Sequence, residues 1–64
     1  MNLEYYYWKK VNIESVSNGT FSGFVNEYIE PEDNDSGKES IILKTEDGNL
    51  VEFEETDIRK IEVV

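Results

Sequence analysis

The sequence predicts a mostly β protein, a single domain over residues 1–64 formed by a small, strongly bent antiparallel sheet of five strands. Three observations predict this fold class. Turn-forming residue pairs divide the chain into short pieces, and apolar and polar residues alternate within those pieces. No stretch of ten or more residues after residue 10 keeps a period near 3.6. We therefore expect short half-buried strands, each with one face in the core.

The N-terminal aromatic segment, residues 1–9, is compatible with two conformations. A helix would place Leu3, Tyr6 and Tyr7 on one side. A strand would instead place Tyr6 and Trp8 on one face. Consecutive aromatic residues are poor helix formers and are enriched in strands, which favours the extended alternative.

The first strand and its turn follow this segment. Val11 and Ile13 lie two residues apart and therefore share one face of a strand. Val16 interrupts the alternation and predicts a bulge near Ser15. Asn18-Gly19 is typical of a tight type I′ hairpin turn, because both central positions of that turn need a positive φ, which Asn and Gly tolerate.

The second strand is expected from Thr20 to about Ile29 and has apolar residues on both faces. Two sets alternate along it: Phe21, Gly23 and Val25 on one face, and Phe24 and Tyr28 on the other. A long strand of this kind with an internal glycine indicates a sharp bend that lets one strand serve two parts of a sheet.

Three further strands complete the sheet. Ile41 and Leu43 mark the third strand. Asp47-Gly48 is a second signal for a type I′ hairpin turn, and the alternation then resumes. The inward residues of the last two strands are predicted to be Val51 and Phe53, followed by Ile61 and Val63. Five short strands with one bend predict that the sheet partly closes on itself, since closure removes exposed edges.

Residues 11–25, VNIESVSNGTFSGFV, contain an alternating strand, a turn glycine and an apolar-x-Gly-x-apolar segment. This pattern resembles the Sm-like and SH3-like small barrels, and DIRKIEVV at residues 57–64 is similar to their closing strand. The resemblance covers residues 8–64 and implies a partly open SH3-like or Sm-like β-barrel.

Two departures from the Sm pattern limit what the resemblance implies. The Sm family builds its RNA pocket with an Asp and then an Asn, where this chain has Tyr28, Ile29 and Glu30. Lys60 stands where the family's Ile-Arg-Gly motif has its glycine. The resemblance therefore implies the barrel, without RNA binding or ring assembly.

The charge balance restricts the partners. Six basic residues stand against fifteen acidic ones, a net charge of −9, and twelve of the acids lie between Asn26 and Asp57. Nucleic acids and anionic membranes need clustered Lys and Arg, so both are disfavoured. A basic protein or peptide is the expected partner. The simpler interpretation, that the acids keep a small protein soluble, stays open.

Composition also argues against catalysis and cofactors. The chain has no His and no Cys, which removes the usual zinc ligands, thiol nucleophiles and the base of a hydrolytic triad. No glycine-rich phosphate loop is present. We therefore expect no enzyme activity and no cofactor. Without a signal-peptide pattern or a long apolar stretch, a cytoplasmic protein is expected.

The acidic loop at residues 30–39 partly resembles a calcium loop. Such a loop needs Gly at its sixth position and Glu at its twelfth. Counted from Asp33, those positions are missed, because Gly37 is fifth and Lys44 is twelfth. We expect no dedicated metal site, although a loose calcium contact through Glu32, Asp33 and Asp35 stays open.

The function expected from these features is a non-catalytic protein–protein interaction module. Its candidate binding surface joins rings to loop acids: Tyr7, Trp8, Phe24, Tyr28, Glu30, Glu32, Asp33 and Asp35. SH3-like grooves combine aromatic linings with acidic rims in this way. The alternative use of the rings is simply to complete the core.

The sequence is compatible with two other functions. One is an Sm-like nucleic-acid-binding protein. The other is an oligomeric assembly subunit whose exposed edge strand, near residues 41–43, pairs with a neighbour. A monomer and a small homo-oligomer are both compatible with the sequence.

Overall fold

The computed structural model of the chain describes residues 1–17 and 19–64. Five strands are present: β1 (Lys10–Ser15), β2 (Thr20–Ile29), β3 (Ser40–Thr45), β4 (Leu50–Glu54) and β5 (Ile58–Val63). The helical elements are three short 3₁₀ helices: Leu3–Tyr6, Pro31–Asp33 and Glu55–Asp57. The prediction of a mostly β protein is confirmed, and the predicted bounds of β2 agree with the structure.

All five strands belong to one antiparallel sheet in the order β4-β3-β2-β1-β5. The predicted five-stranded antiparallel sheet is therefore confirmed. Among the described strands, β4 and β5 are the two edges, and the sheet is not closed by pairing between them. The expectation of an exposed edge near residues 41–43 is wrong, because β3 lies between β2 and β4.

A bulge in β2 reverses the faces of its second half. Val25 pairs with Leu43 and Glu27 pairs with Ile42, so Asn26 is the extra residue. Because side chains alternate along a strand, one inserted residue turns all later side chains to the opposite face. Tyr28 therefore packs against the core. The prediction that it shares a face with Phe24 is wrong.

A second irregularity lies where the sequence predicts a bulge. The register of β1 against β5 shifts between Glu14 and Ser15. The extra residue is Arg59 on β5, because Lys60 pairs with Glu14 and Ile58 pairs with Ser15. The Arg59 guanidinium reaches back to the Glu14 carboxylate at 3.4 Å.

The core lies on one face of the sheet and is built mainly from the predicted inward residues. Its buried members are Leu3, Val11, Ile13, Val25, Ile41, Leu43, Phe53 and Ile58. The rings of Phe21 and Phe53 meet edge to face with centroids 5.1 Å apart, which joins β2 to β4. Ile61 packs against this cluster. Val63 was expected inside but is 46% exposed, because it ends an edge strand.

The N-terminal segment is a 3₁₀ helix at Leu3–Tyr6, so the preference for an extended conformation is wrong. Leu3 enters the core, which explains why the segment folds back on the sheet. The chain then turns at Trp8, whose φ is +64°. A left-handed φ is rare for a bulky side chain and costs about 1–2 kcal/mol.

Glycines occupy the turns between strands. Gly19 has a φ of +86° and its carbonyl accepts the Ser15 N–H at 2.8 Å. The prediction of a type I′ turn depends on Asn18, which lies outside the described residues. At the second hairpin the Gly48 N–H donates to the Thr45 carbonyl at 2.9 Å. Of the pair Asp47-Gly48, only Gly48 has a positive φ. This is a three-residue hairpin loop with a glycine bulge, so the type I′ prediction for Asp47-Gly48 is wrong.

Gly23 is buried and lies against the backbone of β3. A Cβ at this position would lie 2.3 Å from the Lys44 carbonyl oxygen, far inside van der Waals contact. The sequence pattern assigns this glycine to a bend in the strand. The structure gives a steric reason for it, because no other residue fits there without a backbone shift.

Substitution Gly23→Ala is expected to lower the free energy of unfolding by about 3 kcal/mol, the upper end of the cost of overpacking, because the added methyl contacts backbone. A domain of this size has only about 3–10 kcal/mol in total. Urea denaturation followed by circular dichroism measures the change. Ser22→Ala, on the exposed face of the same strand, serves as the control with a loss below about 1 kcal/mol. Equal effects of the two variants would contradict the steric explanation.

Candidate functional site

The carboxylate of Glu39 holds the N-terminal segment against the sheet. Its Oε1 accepts the Leu3 backbone N–H at 3.1 Å and the Tyr28 hydroxyl at 3.1 Å. Glu39 is only 8% exposed, and its own carbonyl oxygen accepts the Glu55 N–H. The sequence places this residue among the loop acids, whereas the structure makes it a buried acceptor that joins distant parts of the chain.

This contact builds a depression between the N-terminal segment and β2. Two tyrosines and two glutamates line it, with a volume of about 350 Å³: Glu4, Tyr7, Glu27 and Tyr28. We call these four residues the acidic aromatic groove. Glu4 and Tyr7 stand three residues apart, one turn of a 3₁₀ helix, and therefore lie on the same side of the segment.

Partial burial, followed by the hydrogen bond to Glu39 and nearby negative charge, raises the pKa of Tyr28 to about 12. Each of these causes favours the neutral phenol over the phenolate. The Tyr28 hydroxyl therefore stays protonated at neutral pH and remains a donor to Glu39. Its ring remains available as a wall of the groove.

Glu30, the residue that follows β2, interacts with several other carboxylates. Repulsion from Glu32, helped by partial burial and by Asp33, raises the pKa of Glu30. Glu4 contributes to the same shift, so the N-terminal segment and the loop share one negative field. Such crowding favours a bound cation, because a positive charge relieves the repulsion between carboxylates.

The acidic loop is held by side-chain hydrogen bonds. The Asn34 amide donates to the Lys38 carbonyl at 2.7 Å and to the Ser40 hydroxyl at 2.9 Å. The Ser36 hydroxyl donates to Glu54 at 2.7 Å. These bonds fix the loop to β3 and β4, and they position its carboxylates relative to the sheet.

Exposed rings continue the groove on its other side. Tyr7 and Trp8 have ring centroids 5.7 Å apart, and Trp8 meets Phe24 edge to face at 4.9 Å. Trp8 is 61% exposed and Tyr7 is 47% exposed. The interpretation that the rings complete the core is therefore wrong for these two residues. It holds for Phe53, and Tyr6, Phe21 and Tyr28 pack against the core cluster.

Backbone hydrogen bonds maintain the unusual conformation at Trp8. Its N–H donates to the Val25 carbonyl at 3.0 Å, and the Val25 N–H donates to the Lys9 carbonyl at 2.9 Å. These bonds tie the segment to β2 on both sides of the turn. A strained and exposed tryptophan that the surrounding structure fixes in place is typical of a functional position.

The structure brings four of the eight predicted surface residues into contact or into one depression. Tyr7, Trp8 and Phe24 form a continuous row of rings, and Tyr28 adjoins them through the groove. Glu30 interacts electrostatically with Tyr28, and Glu32 and Asp33 interact electrostatically with Glu30. Asp35 is exposed, and no contact among the described residues connects it to this surface. The prediction missed Glu4 and Glu27, of which only Glu4 had a signal, its spacing of three from Tyr7. It counted Glu39 among the loop acids and did not foresee its burial.

Comparison with known protein families, curated proteins and solved structures finds no match for this chain. Over residues 1–17 and 19–64, no helix is long and apolar enough to cross a membrane. Within the same residues, no group of three or more acidic side chains is arranged to hold a metal ion. The groove and the rings beside it are the candidate binding surface.

Removing the Glu39 carboxylate is expected to release the N-terminal segment. Glu39→Ala should lower the free energy of unfolding by about 3 kcal/mol, because two donors lose a charged acceptor. Glu39→Gln keeps an oxygen acceptor and should lose less. Asp35→Ala, at an exposed loop position, should change stability by less than about 0.5 kcal/mol. Denaturation curves with indistinguishable midpoints for the Ala variants at residues 35 and 39 would contradict the role of Glu39.

Alkaline titration tests the environment of Tyr28. Its folded pKa of about 12 lies above the ordinary value near 10, so its contribution to stability is present below pH 10 and is lost as the pH rises through 12. We expect a phenolate absorbance step near pH 12 that Tyr28→Phe abolishes. Loss of a step near pH 10 in that variant would show that the hydroxyl is solvated.

Proposed function

We propose that the protein is a non-catalytic interaction module that binds a basic segment of a partner protein in the acidic aromatic groove. The observation that carries this proposal is the pairing of two tyrosine rings with two carboxylates in one depression. A lysine or arginine side chain needs both kinds of contact, an aromatic face for its cation and an oxygen acceptor for its N–H groups.

The free energies expected for these contacts give a modest and salt-sensitive affinity. A cation over an exposed ring contributes about 0.5–1 kcal/mol, and an exposed ion pair contributes about 0.2–1 kcal/mol. The loop acids add a local field that reaches about 8 Å at physiological salt. With a net charge of −9, the protein also attracts basic partners before contact, which raises the association rate.

We further infer that the scaffold is a partly open barrel of the SH3-like or Sm-like kind. Three features support this inference: the bulge of β2, the contact between the Phe21 and Phe53 rings, and the hydrogen bond from the Val16 N–H to the Asp57 carbonyl at 2.9 Å. The last bond ties the residue after β1 to the Glu55–Asp57 helix, which connects the edge strands β4 and β5. Small barrels of this kind bind extended peptides along aromatic grooves.

Fluorescence of Trp8, the single tryptophan, provides the binding assay. A capped peptide, Lys-Lys-Pro-Leu-Lys-Lys, is titrated into the wild type at low and physiological salt. Glu4→Gln with Glu27→Gln should weaken binding about tenfold, since two ion pairs of about 0.7 kcal/mol each are lost.

The matched control removes two carboxylates elsewhere. Glu46→Gln with Glu62→Gln changes the net charge by the same amount at exposed positions outside the groove. It should weaken binding less than about twofold at physiological salt, where distant charges are screened. Equal losses in both double variants would mean that the peptide senses only total charge. Absence of binding to the wild type would refute the proposed function.

A further inference from the structure

A row of outward-facing residues crosses the sheet beside the groove. Phe24 on β2 pairs directly with Lys10 on β1 and with Lys44 on β3. Directly paired residues in neighbouring strands point to the same face, so both lysines flank the Phe24 ring. We call Lys10, Phe24 and Lys44 the lysine row.

The two lysines of this row are exposed, and neither has a partner of opposite charge within residues 1–17 and 19–64. Across the described residues, the ion pairs of side-chain cations use Arg59 and Lys60, and the Lys9 ammonium lies over the Tyr5 ring at 4.2 Å. Neither Lys10 nor Lys44 forms an ion pair there. In a chain with fifteen acidic residues, two unpaired lysines on either side of Phe24 form a distinct positive end of the surface.

The groove and the lysine row are parts of one continuous surface. Tyr7 lines the groove and contacts Trp8, and Trp8 contacts Phe24. On β3, the partners of Glu27 and Phe24 are Ile42 and Lys44, two residues apart. A rise of about 3.3 Å per residue separates the two positions by about 7 Å, which an extended peptide crosses in two or three residues.

We propose that this surface binds an extended peptide segment whose charges are ordered. Its basic residues lie in the acidic aromatic groove, an apolar residue packs on Trp8 and Phe24, and its acidic residues meet Lys10 and Lys44. This inference rests on the proposed function and adds a contact between acidic residues of the partner and the lysine row. The charge of the surface changes sign along its length, so a uniformly basic peptide matches only one end.

Two peptides of identical composition test the inference. Lys-Lys-Pro-Leu-Asp-Asp has the ordered charges, whereas Lys-Asp-Pro-Leu-Lys-Asp has the same residues in mixed order. Both are capped and are titrated against Trp8 fluorescence. The wild type should bind the ordered peptide about fivefold tighter, as expected for one or two exposed ion pairs gained.

Charge reversal supplies the matched variants. Lys10→Glu with Lys44→Glu should abolish the preference for the ordered peptide and should strengthen binding of Lys-Lys-Pro-Leu-Lys-Lys. Lys38→Glu with Lys60→Glu makes the same change in net charge away from the lysine row and should keep the preference. Thermal melts by circular dichroism establish that both variants are folded before binding is compared.

The outcomes separate this inference from the proposed function. Equal binding of the two isomers by the wild type, with the basic peptide still bound through the groove, overturns the ordered-charge inference alone. Failure of the basic peptide to bind overturns the proposed function. A hexathymidine strand is the third ligand. If it binds tighter than the ordered peptide and loses affinity in the Lys10/Lys44 variant, the lysine row recognises phosphates and the peptide inference is wrong.

Discussion

One buried carboxylate connects the fold of this protein to its candidate surface. Glu39 accepts the Leu3 N–H and the Tyr28 hydroxyl on the same oxygen, so the N-terminal segment is held against the end of β2. Leu3 then completes the core. Glu4, the next residue, and Tyr7, three residues further on, line the groove together with Glu27 and Tyr28. Without the carboxylate, that groove would lose one of its two walls.

The shape of β2 determines which side chains reach this surface. Gly23 lets β2 and β3 approach, and the extra residue Asn26 turns Tyr28 inward toward Glu39. The same bulge leaves Glu27 on the outer face with Phe24. A single strand therefore supplies a ring that packs against the core, a groove carboxylate and a half-buried ring on the outer face. The surface changes from negative to positive along this strand. The physical cause is local, because one inserted residue reverses the alternation.

Regular alternation made most of the fold predictable. Val11 with Ile13 and Ile41 with Leu43 lie in the core as their spacing indicates, and all five strands occur where they were expected. The failures have specific causes. A bulge inside an alternating strand leaves no mark in composition, so Tyr28 was placed on the wrong face. Burial of Glu39 depends on donors 36 and 11 residues away, which local patterns do not contain. The rings of the surface were predictable by type, but their connection through the groove depends on the turn at Trp8.

Hydrogen exchange at the Leu3 amide, followed by NMR in heavy water, tests most directly whether Glu39 holds the N-terminal segment. Amides that are bonded and buried exchange only when the structure opens. Leu3 should exchange as slowly as Val25, whose N–H is bonded to the Lys9 carbonyl. If Leu3 exchanges as fast as an unstructured chain while Val25 stays protected, the segment is not docked. The groove would then not exist as a formed site.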